Sequence, residues 1–126
     1  MGKHIIIIDD DEHIRNAFSL SLEDTDIIVD KAESGALGLE LVQKTHYDLV
    51  YLDLKMPGMS GIETLKAIRK LNPSLPVYII TAFHLEFMDD LKEVQRQGCD
   101  FELLSKPIEI DEIKYITYSI LQISDK

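Results

Sequence analysis

Five short apolar runs constrain the fold more than any other feature of this 126-residue sequence. Each run is continuous rather than alternating, which indicates strands that are covered on both faces, as in parallel sheets. The runs are Ile5–Ile8, Ile27–Val29, Leu49–Leu52, Val77–Ile80 and a weaker one around Phe101–Leu104.

Segments with helical periodicity separate these runs. Apolar residues recur at helical spacing over Ile14–Leu22, Ile62–Leu71 and Ile113–Leu121. Ser34 and Ser60 each precede a helical stretch and are predicted N-caps. This alternation predicts an α/β fold, a doubly wound five-stranded parallel sheet with five helices on its two faces.

Length, charge and cysteine content limit the possible classes of protein. A chain of this length holds one core, so the sequence predicts a single domain over residues 1–126. The net charge of −10 argues against direct binding of nucleic acid. No apolar run approaches the roughly 20 residues of a bilayer span, and Cys99 has no second cysteine for a disulfide. These features predict a cytoplasmic protein without a membrane association.

Polar and charged residues follow the predicted strands where each strand ends. Five of them are candidates for a common site: Asp9, Asp10, Asp53, Thr81 and Lys106. We expect them to converge, because ligands of open parallel sheets bind at the carboxyl ends of the strands. Asp11 and Glu12 are instead predicted to be acids at a helix start, with no direct part in the chemistry.

This set of side chains favours phosphoryl chemistry. Carboxylates held close together repel one another unless a cation neutralises them, and an oxygen-only ligand set suits Mg²⁺ or Mn²⁺. A carboxylate can attack phosphorus to give an acyl phosphate, while the ion and the Lys106 ammonium offset the charge of the phosphoryl group. Thr81 can donate its hydroxyl to a phosphoryl oxygen, and Ala82 is small enough to leave the approach open.

Four stretches of the sequence carry a resemblance to a known family. They are IIIIDDDEHIR, DLVYLDLKMPGMSGIETL, VYIITA and LLSKPIEIDEI. In this order they resemble the receiver domain of two-component response regulators over essentially the whole chain. The resemblance implies a flavodoxin-like sheet with strand order 2-1-3-4-5. It also implies that Asp53 is the phosphoacceptor, and that Asp9, Asp10, Asp53 and the backbone carbonyl of Lys55 bind the metal.

The resemblance extends to the partners and to the switch. It implies that Thr81 is the switch hydroxyl and that Lys106 binds the phosphoryl group. The phosphodonor would be a sensor histidine kinase or a histidine phosphotransfer protein, which docks on the Ile14–Leu22 helix. A downstream protein target would read the face of the fourth helix, fifth strand and fifth helix, or the group would be passed onward. We expect a monomer or weak dimer that catalyses its own phosphorylation and dephosphorylation and is otherwise no enzyme.

The sequence departs from the family pattern near the switch. Leu103 stands three positions before Lys106, where the family usually has an aromatic residue, and Phe101 lies two positions earlier. Either a bulge brings Phe101 into that role, or the aromatic switch residue is absent and Phe101 packs in the core. Lys55 and Phe83, each two residues beyond a site residue, are bulky, which suggests a long-lived phosphoryl state like that of stand-alone sporulation-type phosphorelay regulators.

Two other functions remain as alternatives. An aspartate-nucleophile phosphatase of the haloacid dehalogenase type also forms an aspartyl phosphate, but it needs a second carboxylate where this chain has Lys55. A pseudo-receiver would act as an interaction module without phosphorylation. That function predicts the loss of an acid, the threonine or the lysine, and all of them are present.

Overall fold

A computed structural model describes residues 2–82, 85–106 and 108–122, in which strands and helices alternate. The strands are β1 (His4–Ile8), β2 (Ile28–Ala32), β3 (Leu49–Leu52), β4 (Val77–Thr81) and β5 (Glu102–Ser105). The helices are α1 (Glu12–Ser21), α2 (Gly35–Lys44), α3 (Gly61–Leu71), α4 (Met88–Arg96) and α5 (Ile110–Leu121). None of the helices in the described ranges is long and apolar enough to cross a membrane.

The five strands form one parallel sheet in the order β2-β1-β3-β4-β5. This order confirms the predicted doubly wound fold. Ile8 at the end of β1 lies beside Leu52 at the end of β3, and Thr81 at the end of β4 lies beside Ser105 at the end of β5. The carboxyl ends of the strands therefore share one edge of the sheet.

Strand β2 differs from its prediction. The apolar run Ile27–Val29 predicted a strand covered on both faces, whereas the strand spans Ile28–Ala32 and includes Asp30 and Lys31. Ile28 is 54% exposed. The reason is the position of β2 at the edge of the sheet, where fewer elements cover it and polar residues are tolerated.

The isoleucines of β1 divide the core into two clusters, because successive side chains of a strand point to opposite faces. Ile6 and Ile8 belong to the cluster that includes residues of α3 and α4, and Ile5 and Ile7 to the cluster that includes residues of α1 and α5. All four are fully buried. Residues of each predicted apolar helix face contribute to these clusters, whereas Leu71 at the end of α3 is 47% exposed.

Side chains cap the first three helices. The carboxylate of Asp11 accepts the His13 N–H at 2.9 Å, as expected for an acid at a helix start. Ser34 caps α2, and Ser60 forms a capping box with Glu63 at the start of α3. Both serine predictions are confirmed, and the start of α3 is fixed close to the end of β3.

Arg69 connects the end of α3 to two loops at the opposite edge of the sheet. Its Nε and Nη2 donate to the carbonyl oxygen of Asp100 at 2.9 and 2.6 Å, and its Nη1 donates to the carbonyl oxygen of Leu75 at 2.5 Å. These loops lead into β5 and β4. A planar guanidinium can satisfy several carbonyls at once, which a single ammonium cannot reproduce.

We predict that Arg69→Lys lowers the free energy of unfolding by about 1–3 kcal/mol, the cost of leaving charge-assisted hydrogen bonds unmade. Urea unfolding at pH 7 measures the loss. Arg96→Lys is the matched control, because Arg96 is exposed and pairs with Glu93 on the same helix; its cost should stay below about 0.5 kcal/mol. Equal costs for the two variants would contradict the role given to Arg69.

Candidate functional site

An open cleft of about 690 Å³ lies at the carboxyl edge of the sheet. Its described lining consists of Asp9, Asp10, Asp11, Asp53, Lys55, Met56, Pro57 and Lys106. The three strand-end carboxylates and the lysine that the sequence singled out are therefore together.

The sheet itself positions the two buried carboxylates. The Asp9 N–H donates to the Ala32 carbonyl at 3.1 Å, and the Asp53 N–H donates to the Ile8 carbonyl at 2.9 Å. Both bonds continue the strand pairing one residue beyond β1 and β3. Asp9 is fully buried and Asp53 is 4% exposed, so rigid backbone places both side chains at the floor of the cleft.

The same mechanism positions the lysine. The Lys106 N–H donates to the carbonyl oxygen of Thr81 at 3.1 Å, which extends the pairing of β4 with β5. The Lys106 Nζ lies 3.0 Å from Asp9 Oδ2 and 3.4 Å from Asp53 Oδ1. The ammonium therefore bridges the two buried carboxylates.

Burial and mutual repulsion set the protonation of the site. Burial, followed by the negative charge of Asp9, raises the pKa of Asp53 to about 6, and Lys106 opposes that shift. Burial also raises the pKa of Asp9. Burial alone would lower the pKa of Lys106, but the charges of Asp9 and Asp53 outweigh it and raise that pKa. At neutral pH the Asp53 carboxylate, with a pKa of about 6, is thus mostly ionised beside the Lys106 ammonium.

The carboxylates fit a hard divalent cation. One oxygen each of Asp9, Asp10 and Asp53 can be chosen so that all lie within 4.8 Å of one another. Asp9 Oδ2 is buried and makes no hydrogen bond of ordinary geometry to any described residue, although the ammonium is near. A buried oxygen in that state, within an all-oxygen donor set, suits Mg²⁺.

Asp11 and Arg15 hold the loop that carries Asp9 and Asp10. The Asp11 N–H donates to Asp9 Oδ1 at 2.9 Å, and the Arg15 guanidinium donates to the carbonyl oxygen of Asp9 at 2.8 Å. Asp11 lines the cleft, but its carboxylate caps α1. Sequence reasoning missed the role of Arg15, since a bond to a backbone carbonyl leaves no pattern in the side chains.

The predicted switch residues lie at different depths. Thr81 is fully buried at the end of β4, and Ala82 after it is exposed. Phe83 lies outside the described residues. Phe101 packs against the core cluster on the α3 and α4 side of the sheet, in agreement with the core-packing alternative, and Leu103 on β5 is 37% exposed. Neither residue belongs to the described lining of the cleft.

A second contact that the sequence did not predict lies at the mouth of the cleft. The Lys55 Nζ is 3.7 Å from Glu86 Oε2. Lys55 follows β3 and Glu86 follows β4, so the pair joins two loops that are far apart in the sequence. Sequence spacing gave no signal for this contact, because it depends on how the loops fold.

Comparisons of this sequence with known proteins agree on one family. A family model described as the response regulator receiver domain matches residues 5–117. The sporulation initiation phosphotransferase F of Bacillus subtilis is 34% identical over 115 residues, covering 90% of each chain. The transcriptional regulatory protein GlrR of Escherichia coli is 36% identical over 110 residues, but the chain spans only 24% of its length.

Solved structures agree with this result. The response regulator protein TrrA from Thermotoga maritima, in complex with Mg²⁺ and BeF, matches with a TM-score of 0.77 and 30% identity, covering 94% of this chain and 98% of that one. A CheY-like receiver domain protein from Methanospirillum hungatei matches with a TM-score of 0.82 and 25% identity, covering 97% and 96% of the two chains. The chain therefore belongs to the response regulator receiver domains, the phosphoacceptor modules that relay signals in two-component systems.

Proposed function

We propose that Asp53 accepts a phosphoryl group from a phosphohistidine donor, with Mg²⁺ held by Asp9, Asp10 and Asp53. The observation that carries this proposal is the position of the Asp53 carboxylate, 3.4 Å from the Lys106 ammonium and clustered with the other two acids. The backbone carbonyl of Lys55 is proposed as a further metal ligand, because Lys55 lines the same cleft.

The transfer needs an ionised nucleophile and a way to offset the charge of the incoming group. A pKa of about 6 leaves the Asp53 carboxylate ionised at pH 7. A carboxylate oxygen bonds to phosphorus while the bond from phosphorus to the donor nitrogen breaks, and the imidazole keeps the electron pair. Bound Mg²⁺ supplies positive charge to the phosphoryl oxygens. Lys106 adds a second positive charge, and Thr81 is proposed as the hydroxyl donor that follows the group after transfer.

The family relation supports the partners. Receiver domains accept phosphoryl groups from histidine kinases or phosphotransfer proteins, so a sensor histidine kinase or a histidine phosphotransfer protein is the proposed donor. The match with the sporulation phosphotransferase over 90% of both chains supports onward transfer. The partial match with GlrR supports the alternative output, a conformational signal to a downstream protein target. We further propose that the chain acts as a single domain in the cytoplasm, as a monomer or weak dimer.

The alternative functions are not favoured. The phosphatase needs a carboxylate at the position of Lys55, and that side chain is an ammonium paired with Glu86. A pseudo-receiver would not need the acids and the lysine to converge. In this chain Asp9, Asp53 and Lys106 lie in direct contact.

We predict that Asp53→Asn abolishes phosphorylation, because the neutral amide has no ionised carboxylate oxygen to attack phosphorus. Radiolabelled transfer from a phosphorylated histidine kinase, with and without Mg²⁺, measures the effect. Asp11→Asn is the matched control, since it removes the same charge from the same cleft but from a helix cap; labelling should persist. Mg²⁺-dependent labelling of Asp53→Asn at the wild-type level would refute the assignment.

We also predict a pH-dependent gain in stability for Asp53→Asn in Mg²⁺-free buffer. The pKa of Asp53 rises from 3.8 to about 6 on folding, so the folded state binds the proton more tightly than the unfolded state does. The destabilisation of the wild type therefore grows as the pH rises from 3.8 to about 6 and is complete above pH 6. The variant should be more stable by about 1–3 kcal/mol at pH 7, and the gain should shrink as the pH falls from about 6 toward 3.8, so that most of it is lost at pH 4.

Urea unfolding of both proteins between pH 4 and pH 8 measures this gain. Asp24→Asn is the control, because Asp24 is an exposed acid that pairs with Lys114; its effect should stay below about 0.5 kcal/mol. A gain for Asp53→Asn that does not change between pH 4 and pH 8 would contradict this prediction. It would show that folding does not raise the pKa of Asp53.

A further inference from the structure

The Lys55–Glu86 ion pair connects the cleft with the segment that leads into α4. Lys55 belongs to the cleft lining together with Asp53 and Lys106. Glu86 stands two residues before Met88, the first residue of α4. Both side chains of the pair are about half exposed, at 55% and 54%.

The first turn of helix α4 is weakly capped. Its N-cap, Phe87, makes no side-chain capping hydrogen bond to the residues that the structure describes. The Met88 N–H reaches the Leu85 carbonyl at 3.4 Å, a long bond, and the first buried side chain of the helix is Leu91. Phe87 is partly buried against the core cluster on the α3 and α4 side of the sheet, and the contact between Glu86 and Lys55 joins the same segment to the cleft.

Phosphorylation changes the charge balance at Lys55. The carboxylates of Asp9, Asp10 and Asp53 cluster together, and the Lys106 ammonium contacts those of Asp9 and Asp53. A phosphoryl group replaces the one negative charge of Asp53 with about −1.5 to −2. A bound Mg²⁺ offsets the same charge before and after transfer, so the added negative charge needs another cation. Among the described lining residues, the other ammonium is that of Lys55.

We propose that the Lys55–Glu86 pair is a tether that a phosphoryl group on Asp53 releases. The phosphoryl oxygens compete with the Glu86 carboxylate for the Lys55 ammonium, and they carry more charge in a less exposed place, where Coulomb attraction is stronger. When Lys55 changes partner, the segment before α4 loses its attachment to the cleft. Glu86 is thus a positioning residue, and this inference rests on the proposed phosphorylation of Asp53.

Binding of beryllofluoride in saturating Mg²⁺, measured by calorimetry, tests the exchange of partners. Glu86→Gln removes the competitor and should tighten binding about two- to fivefold, the range expected for an exposed ion pair. Lys55→Gln, which keeps the backbone carbonyl, should weaken binding. In the Lys55→Gln background, Glu86→Gln should then have no effect, because the competitor has lost its target.

The control separates this exchange from simple repulsion. Glu93→Gln removes the same charge from α4, where Glu93 pairs with Arg96, and should leave binding unchanged. An equal tightening by Glu86→Gln with Lys55 present and absent would mean that Glu86 acts only by long-range repulsion, and would overturn the tether. Failure of the wild-type protein to bind beryllofluoride would instead overturn the proposed function, and the tether with it.

Hydrogen exchange of the Leu91 amide, which bonds to the Phe87 carbonyl at 2.9 Å, tests the release of α4. In the wild type, beryllofluoride should accelerate this exchange. In Glu86→Gln and Lys55→Gln the exchange should already be fast without the ligand, because each substitution breaks the same pair. Wild-type-like protection in both variants would overturn the inference.

Discussion

The rest of the site depends on two carboxylates that the sheet buries side by side. Backbone bonds from Asp9 to β2 and from Asp53 to β1 fix these side chains at the floor of the cleft, where both are buried. Their mutual repulsion and desolvation oppose folding, which the raised pKa of Asp53 expresses directly. The Lys106 ammonium offsets part of that cost, and a divalent ion would offset more. Affinity for a cation would thus follow from the repulsion that the fold imposes on these carboxylates.

Close packing keeps this strain from relaxing. A Cβ on Gly61 would lie 2.3 Å from the carbonyl oxygen of Asp53 and 2.5 Å from Leu54 Cα, so α3 can begin this near to the acceptor only with glycine at that position. The Gly61 N–H donates to the Leu54 carbonyl at 2.9 Å, which fixes the loop after β3. With the loop held there and Arg15 holding the loop after β1, the carboxylates cannot move apart.

The sequence predicted the parts of the site that depend on the sheet. Parallel strands bring their carboxyl ends to one edge whatever the loops do, so Asp9, Asp53 and Lys106 could be placed together from the apolar runs alone. The sequence predicted the bounds of β2 less well, because an edge strand with two charged residues lacks a strong apolar pattern. The Lys55–Glu86 contact was not predictable, since it depends on the conformation of two loops rather than on periodicity.

The exposure of the Lys55–Glu86 pair suits a contact in which Lys55 has to change partner. A buried ion pair would be held by the cost of leaving one charge without a partner, whereas an exposed pair contributes about 0–1 kcal/mol and water can replace either side. Such a pair can shift a two-state equilibrium about fivefold at most, since 1.4 kcal/mol corresponds to a factor of ten. The tether therefore biases the position of α4 and does not fix it. Contacts of the phosphoryl group with Lys106 and Thr81 would have to supply the remainder of the free energy that separates the two states.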